Sequence, residues 1–277
     1  MSVNNFIPTI WAEGFLQERT PKFNGIAGCT REYEGKIKNK GDKVKIKAIG
    51  DVNVNDYVRN SGSDLTLQRL DDEALMLEIT QSKYYNFAVD SVDAAQADSK
   101  LMKEAMRKAG LKQNSLADKF IYSKYGDAGK TITDATFTSA KVKNVITQGL
   151  QALYENDVPE GTAIRLEISP AIYIKLILAK IVADTNNSGV LANGKVGNFL
   201  GCDIYLSNNL TIVSNAHKCI MRTTEAMAYA EQMTEIQAGD LGQKGFGDYV
   251  KGLMLYGAKV IKPKEVICLD LTPATES

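Results

Sequence analysis

The hydrophobic pattern changes period along the chain, and each change marks a new kind of element. Residues 1–35 follow neither the helical nor the strand period. Trp11, Phe15 and Phe23 are scattered among polar residues, with Pro8 and Pro21 between them. Such a segment cannot bury its aromatics on itself, yet a disordered tail is normally poor in Trp and Phe. It is expected to be an extended arm lying on another surface, of its own body or of a neighbour. From residue 36 to about 80 the pattern alternates. Lys43-Val44-Lys45-Ile46-Lys47 has one dry and one charged face, and Asp51-Val52-Asn53-Val54-Asn55 alternates again. Leu65, Leu67, Leu75, Leu77 and Ile79 continue the period, and Gly41, Gly50 and Gly62 punctuate it. This predicts a long β-hairpin with one apolar face, which is marginal alone and needs a surface to lie on.

Between residues 90 and 126 the spacing becomes helical. Leu101, Met102, Ala105, Met106 and Ala109 form a stripe that Leu116, Ala117, Phe120, Ile121 and Tyr125 resume. Asp90 or Ser91 is the expected N-cap, and Gly110 weakens the middle by about 1 kcal/mol relative to Ala. A Gly/Thr-rich loop is expected over 126–138. A second helix follows, its dry face made of Val142, Val145, Ile146, Gly149, Leu150 and Leu153, and Asn156-Asp157-Val158-Pro159 stops it. Residues 163–168 alternate as a strand. Ser169 and Pro170 suit the N-cap and first position of a third helix reaching about residue 183. Residues 186–201 are rich in Gly and Asn and predict a loop with short strands. Strands are expected at 202–206 and 217–221, a helix at 225–237, and strands over 252–271 broken by Gly257 and Pro263.

At 277 residues and 44% hydrophobic, the chain can build one large domain or two to three interleaved ones. Lys plus Arg and Asp plus Glu both number 33, so the net charge is zero. That removes the basic excess typical of nucleic-acid binders and permits close association of identical copies. No basic-then-apolar leader opens the sequence, and the apolar stretch at 171–183 is too short, and broken by Lys175 and Lys180, to span a bilayer. Cys29, Cys202, Cys219 and Cys268 are far apart and read as reduced thiols.

Catalytic chemistry is scarce. His217 is the sole histidine. His217 and Cys219 fall short of the three or four ligands a metal needs, and no nucleophile is paired with the histidine. The glycine runs at 242–248 and 197–201 lack a phosphate-loop ending and read as turns. Neither cofactor nor metal is expected, and the chain is read as a non-enzyme. The unusual charge feature is a lysine ladder: Lys36, Lys38 and Lys40, then Lys43, Lys45 and Lys47. Three readings stay open: a solvated hairpin face that blocks edge aggregation, pairing with acidic residues of an adjacent copy, or, last, nucleic-acid contact. Asp71, Asp72, Glu73, Asp90 and Asp93 are the acidic candidates.

Several stretches, in order, carry a resemblance: FIPTIW at 6–11, GDKVKI at 41–46, FAVDSVDAAQ at 87–96, NDVP at 156–159 with ISP at 168–170, GCDIYLSNNL at 201–210 and VKGLMLYGAKV at 250–260. Together they resemble tailed-bacteriophage major capsid proteins with the Hong Kong 97-like fold, an α+β class. The resemblance implies an N-terminal arm at 1–35 and an extended loop, the β-hairpin, at 36–75. It implies a peripheral domain at 76–156 and 246–277 with a spine helix at 90–126, and an axial domain at 157–245. It further implies pentamers and hexamers of one chain building an icosahedral virion capsid around double-stranded DNA, without sequence-specific binding and without a membrane. A separate scaffolding protein, a portal protein and assembly in the bacterial host cytoplasm come with it. The inter-subunit contact candidates are Trp11, Phe15, Phe23, Lys36, Lys38, Lys43, Lys45, Lys47, Asp71, Asp72 and Glu73. An encapsulin-like nanocompartment shell is the alternative on the same fold.

Overall fold

The computed structural model describes residues 22–32, 43–49, 72–90, 100–179, 195–240 and 247–276. In chain order its first elements are α1 (Asn24–Ala27), β1 (Lys43–Ile49), β2 (Asp72–Glu78), β3 (Gln81–Asp90), α2 (Lys100–Tyr122) and β4 (Lys130–Phe137). Next come α3 (Val142–Glu155), β5 (Ile164–Ile168), α4 (Pro170–Leu178), β6 (Lys195–Phe199), β7 (Cys202–Leu206) and β8 (Ile212–Val213). The last are β9 (Ala216–Thr223), β10 (Met227–Asp240), β11 (Gly247–Val260) and β12 (Val266–Pro273).

The alternating stretch forms the antiparallel pair β1–β2, with Lys43 opposite Glu78 and Ile49 opposite Asp72. Val44, Ile46 and Leu77 are buried on its dry face, as the period predicts. That face packs against Ala228, Ala230 and Leu255 of the same chain. The hairpin base passes so close that a Cβ on Gly257 would lie 2.3 Å from the Glu78 carbonyl oxygen. Gly257 therefore does not interrupt the final strands; it lies inside β11 and lets β2 cross over it. The rest of the hairpin, residues 50–71, lies outside the described residues.

The surface beneath the hairpin is a three-stranded antiparallel sheet in the order β10-β11-β3. Here the helix expected at 225–237 is corrected to strand β10. Met227 and Tyr229 face α2, whereas Ala228 and Ala230 face the hairpin, and all four are fully buried. A strand covered on both sides shows no polar–apolar alternation. Its Ala, Glu, Gln and Met are good helix formers, so local propensity pointed the wrong way. Asp90 closes β3, and the expected helix start at 91–99 lies outside the described residues. Helix α2 runs unbroken through Gly110, and a 3-10 turn at Ser123–Asp127 ends it.

The larger sheet has the order β4-β12-β9-β5-β7-β6, with β8 added on β9. The loop expected at 126–138 is corrected to β4, an edge strand parallel to β12. Its Thr131, Ile132 and Thr133 are β-branched and favour the extended backbone. Helix α3 buries every residue of its predicted face. Helix α4 starts as expected, with Ser169 Oγ accepting the Ile172 N–H at 3.5 Å and Pro170 in the first position. These two helices and one sheet face enclose an apolar core of Leu153, Leu166, Ile204, Met221 and Leu269 among others. The sheets cut across the expected segments: β4 and β12 join strands of 157–245, while β10 joins β11 and β3.

Candidate assembly site

Assembly elements need surfaces that meet copies and anchors that hold those surfaces to the body. In the register of β1 and β2, Lys43, Lys45 and Lys47 pair with Glu78, Met76 and Ala74. Lys43 Nζ lies 2.5 Å from Glu78 Oε1, with both side chains about half exposed. The hydrogen bond from Lys43 holds the Glu78 carboxyl below its ordinary range. Lys43 thus has an acid in its own hairpin, one absent from the expected set. Asp72 and Glu73 stand opposite Ile49 and Ala48. Trp11, Phe15, Lys36, Lys38 and Asp71 lie outside the described residues.

Phe23 is half-buried just before α1, and its carbonyl accepts the Ala27 N–H at 3.0 Å. It borders a cavity of about 360 Å³ with Ile26, Cys29, Arg31 and Glu231. Behind this cavity lies a polar clamp that the periodicity did not reveal. Arg222 and Glu167 are fully buried and paired in a fork: Nε to Oε2 at 3.1 Å and Nη2 to Oε1 at 2.9 Å. Arg222 Nη2 also donates to the Gly25 carbonyl at 2.9 Å, and Arg165 Nη2 to the Asn24 carbonyl at 3.1 Å. Both guanidiniums therefore meet carbonyls of the one-turn helix α1, where cations are favoured. Arg165 stacks on Tyr205, its Cζ 3.8 Å from the ring centre.

On the opposite side Asp118 Oδ1 accepts the Ile26 N–H at 3.1 Å, and Asn209 donates to Oδ2 at 3.0 Å. Burial pushes the Asp118 carboxyl up to about 6, against the pull of these hydrogen bonds. The Asn24 amide donates to the Leu206 carbonyl at 2.7 Å. Gly28 fits where nothing larger does: a Cβ would lie 2.8 Å from both Arg165 Nε and Arg222 Nη2. Thr30 then bridges to Ala228, receiving the Tyr229 N–H and donating to the Met227 carbonyl. Residues 24–30 are thus fastened to both sheets by polar contacts. The sequence signal was present but ambiguous, since Arg165 and Glu167 alternate with Ile164, Leu166 and Ile168 as on any half-wet strand.

The remaining chemistry is sparse. His217 is buried in β9, which lowers its pKa, and Cys219 sits two residues on. Among the described residues no group of three His, Cys, Asp or Glu could hold a metal. Burial pushes the Cys202 and Cys219 thiols up to about 12 and the Cys268 thiol up to about 11. Among the described residues no helix is long and apolar enough to cross a membrane.

No protein-family model matches the sequence, and no curated protein does. Solved structures do. A structure from Mycobacterium phage Che8 is 26% identical, covering 97% of this chain and 98% of that one, with a TM-score of 0.73. The capsid structure of the cyanophage P-SCSP1u is 16% identical over 98% and 94% of the two chains, with a TM-score of 0.74. A virus-like particle from Pyrococcus furiosus is further away: 14% identity, 89% and 95% coverage and a TM-score of 0.52. These likenesses run over nearly the whole length of this chain. The chain therefore shares the fold of bacteriophage capsid structures, the kind of protein that its ordered motifs resemble.

Proposed function

We propose that this chain is the structural, non-enzymatic subunit of an icosahedral tailed-phage capsid with the Hong Kong 97-like fold. Copies form pentamers and hexamers that close around double-stranded viral DNA. The full-length likeness to the Che8 structure, at 26% identity, carries this reading. The nanocompartment alternative has the weaker likeness, with a TM-score of 0.52 against 0.73 and 0.74. A neighbouring portal or terminase gene, as opposed to a cargo-enzyme gene, separates the two.

Residues 1–35 serve as the arm and 36–75 as the extended loop, with α2 as the described part of the spine helix. Elements that share a core form a unit, so the peripheral unit is α2 with β3, β10 and β11. The axial unit is the larger sheet with α3 and α4. Trp11, Phe15, Phe23, Lys36, Lys38, Lys45, Lys47, Asp71, Asp72 and Glu73 are the contacts between copies; Lys43 is already engaged with Glu78. A separate scaffolding protein and a portal protein are the partners, and assembly takes place in the bacterial host cytoplasm. Zero net charge supports DNA held by confinement and not by sequence-specific grip.

Negative-stain microscopy and light scattering of the purified chain test the reading. Rings or closed shells are expected. A compact 30.3 kDa monomer at high concentration, even with the scaffolding partner, would sink it.

A further inference from the structure

Helix α4 is apolar on two sides. Its nine residues carry one charge, Lys175, whose ammonium turns back to the Ala274 carbonyl at 2.6 Å and to Glu276. Ile172 and Leu176 form its inner stripe and are buried in the core of the larger sheet. Ile174, Ile177 and Leu178 stand at i, i+3 and i+4, the spacing of a second stripe. They are 57%, 47% and 54% exposed in the single chain.

A helix apolar all round belongs in an interior. In the lone protomer α4 has only half of one. The outer stripe leaves on the order of 300 Å² of apolar surface, near the largest patch of an ordinary monomer. That is roughly a third of what each partner gives to a stable protein interface, so the stripe suits the dry centre of a contact whose rim lies elsewhere. A lipid surface fits poorly, because membrane-surface helices carry a polar, basic face opposite the apolar one. The opposite face of α4 is Ile172 and Leu176.

We propose that Ile174, Ile177 and Leu178 are buried against a second copy of this chain in the assembled shell. The inference rests on the shell reading above. A ring of five or six copies uses head-to-tail contacts, so the stripe meets a different surface on its neighbour.

Two measurements on the full chain test this, with scaffolding partner where wild type needs it. Ile177→Asp should give soluble subunits with wild-type circular dichroism and shells reduced about tenfold or more, because a buried unpaired charge weakens association. Ile177→Val should assemble normally. Wild-type shell yield from Ile177→Asp would overturn the proposal while leaving the shell reading intact; a wild-type chain that never assembles would overturn both. Independently, Ile177→Cys should react with a maleimide about tenfold faster in free subunits than in shells. Equal rates would overturn the proposal. So would slow labelling in both states, since the chain's own residues would then cover the stripe.

Discussion

The two faces of the larger sheet are closed by different physics. On one, α3 and α4 seal an aliphatic layer that includes Leu153, Leu166, Met221 and Leu269. On the other, Arg165, Glu167 and Arg222 stand in an interior closed by α1. An apolar face is satisfied by any well-packed apolar cover. A buried polar face is satisfied only by groups that match it donor for acceptor. The α1 segment is therefore held by specificity more than by area: α1 is four residues long, yet its backbone meets two guanidiniums and one carboxylate. The hairpin is fastened in the opposite manner, through Val44, Ile46 and Leu77 on an apolar sheet.

The largest test of this contrast removes half of the buried pair. Arg222→Leu leaves Glu167, in a site with no exposure, only the longer Arg165 contact at 3.5 Å and should lower unfolding free energy by about 3–5 kcal/mol, measured by denaturant titration. Adding Glu167→Leu should recover much of that loss. A single-variant cost below about 1 kcal/mol would mean that the polar face is not closed by matching.

The next test is pH. Asp118, pushed up to about 6 by burial, has an ordinary value of 3.8. A carboxyl that is weaker folded than unfolded takes up a proton on folding. Its contribution is fullest below about pH 4 and falls as pH rises through about 6, by about 3 kcal/mol in all. Carboxylates held low by lysines, such as Glu78 and Glu276, run the other way but are shared by wild type and variant. The stability difference between wild type and Asp118→Asn should therefore change between pH 4 and 6 and level off above. A flat difference would show that Asp118 carries no proton into the clamp.

The smallest expected effect is local. Gly28→Ala places a methyl group 2.8 Å from both guanidiniums and should cost about 1–2 kcal/mol. Hydrogen exchange should quicken at the Ile26, Ala27 and Gly28 amides and stay unchanged in α3. Equal quickening in both places would mean that the α1 segment and the body open as one unit.

The legible elements were those with one wet face and one dry face. The face of α3, the start of α4 at Ser169-Pro170, the alternation of β1 and the span of β7 all follow from local period and capping chemistry. Strand β10 was misread because helix α2 and the hairpin bury its first part, Met227 to Ala230, from both sides, which erases the period there. Strand β4 was missed because it is an exposed edge whose threonines read as loop. The clamp was hidden for a related reason. Arg165, Glu167 and Arg222 look like surface residues in any local window, and only contact with α1, roughly 140 to 200 residues away in sequence, turns them into an interior.

By itself, then, the sequence determined the dry stripes, the caps, the scarcity of catalytic groups and the ordered motifs that resemble capsid proteins. Each is a property of neighbouring residues or of composition. Only the tertiary structure decided which strands are covered twice, which charges are buried, and that the apolar helix α4 leaves a second stripe bare. Those depend on what lies across the fold, and a local period records only that a face is apolar, not what comes to cover it.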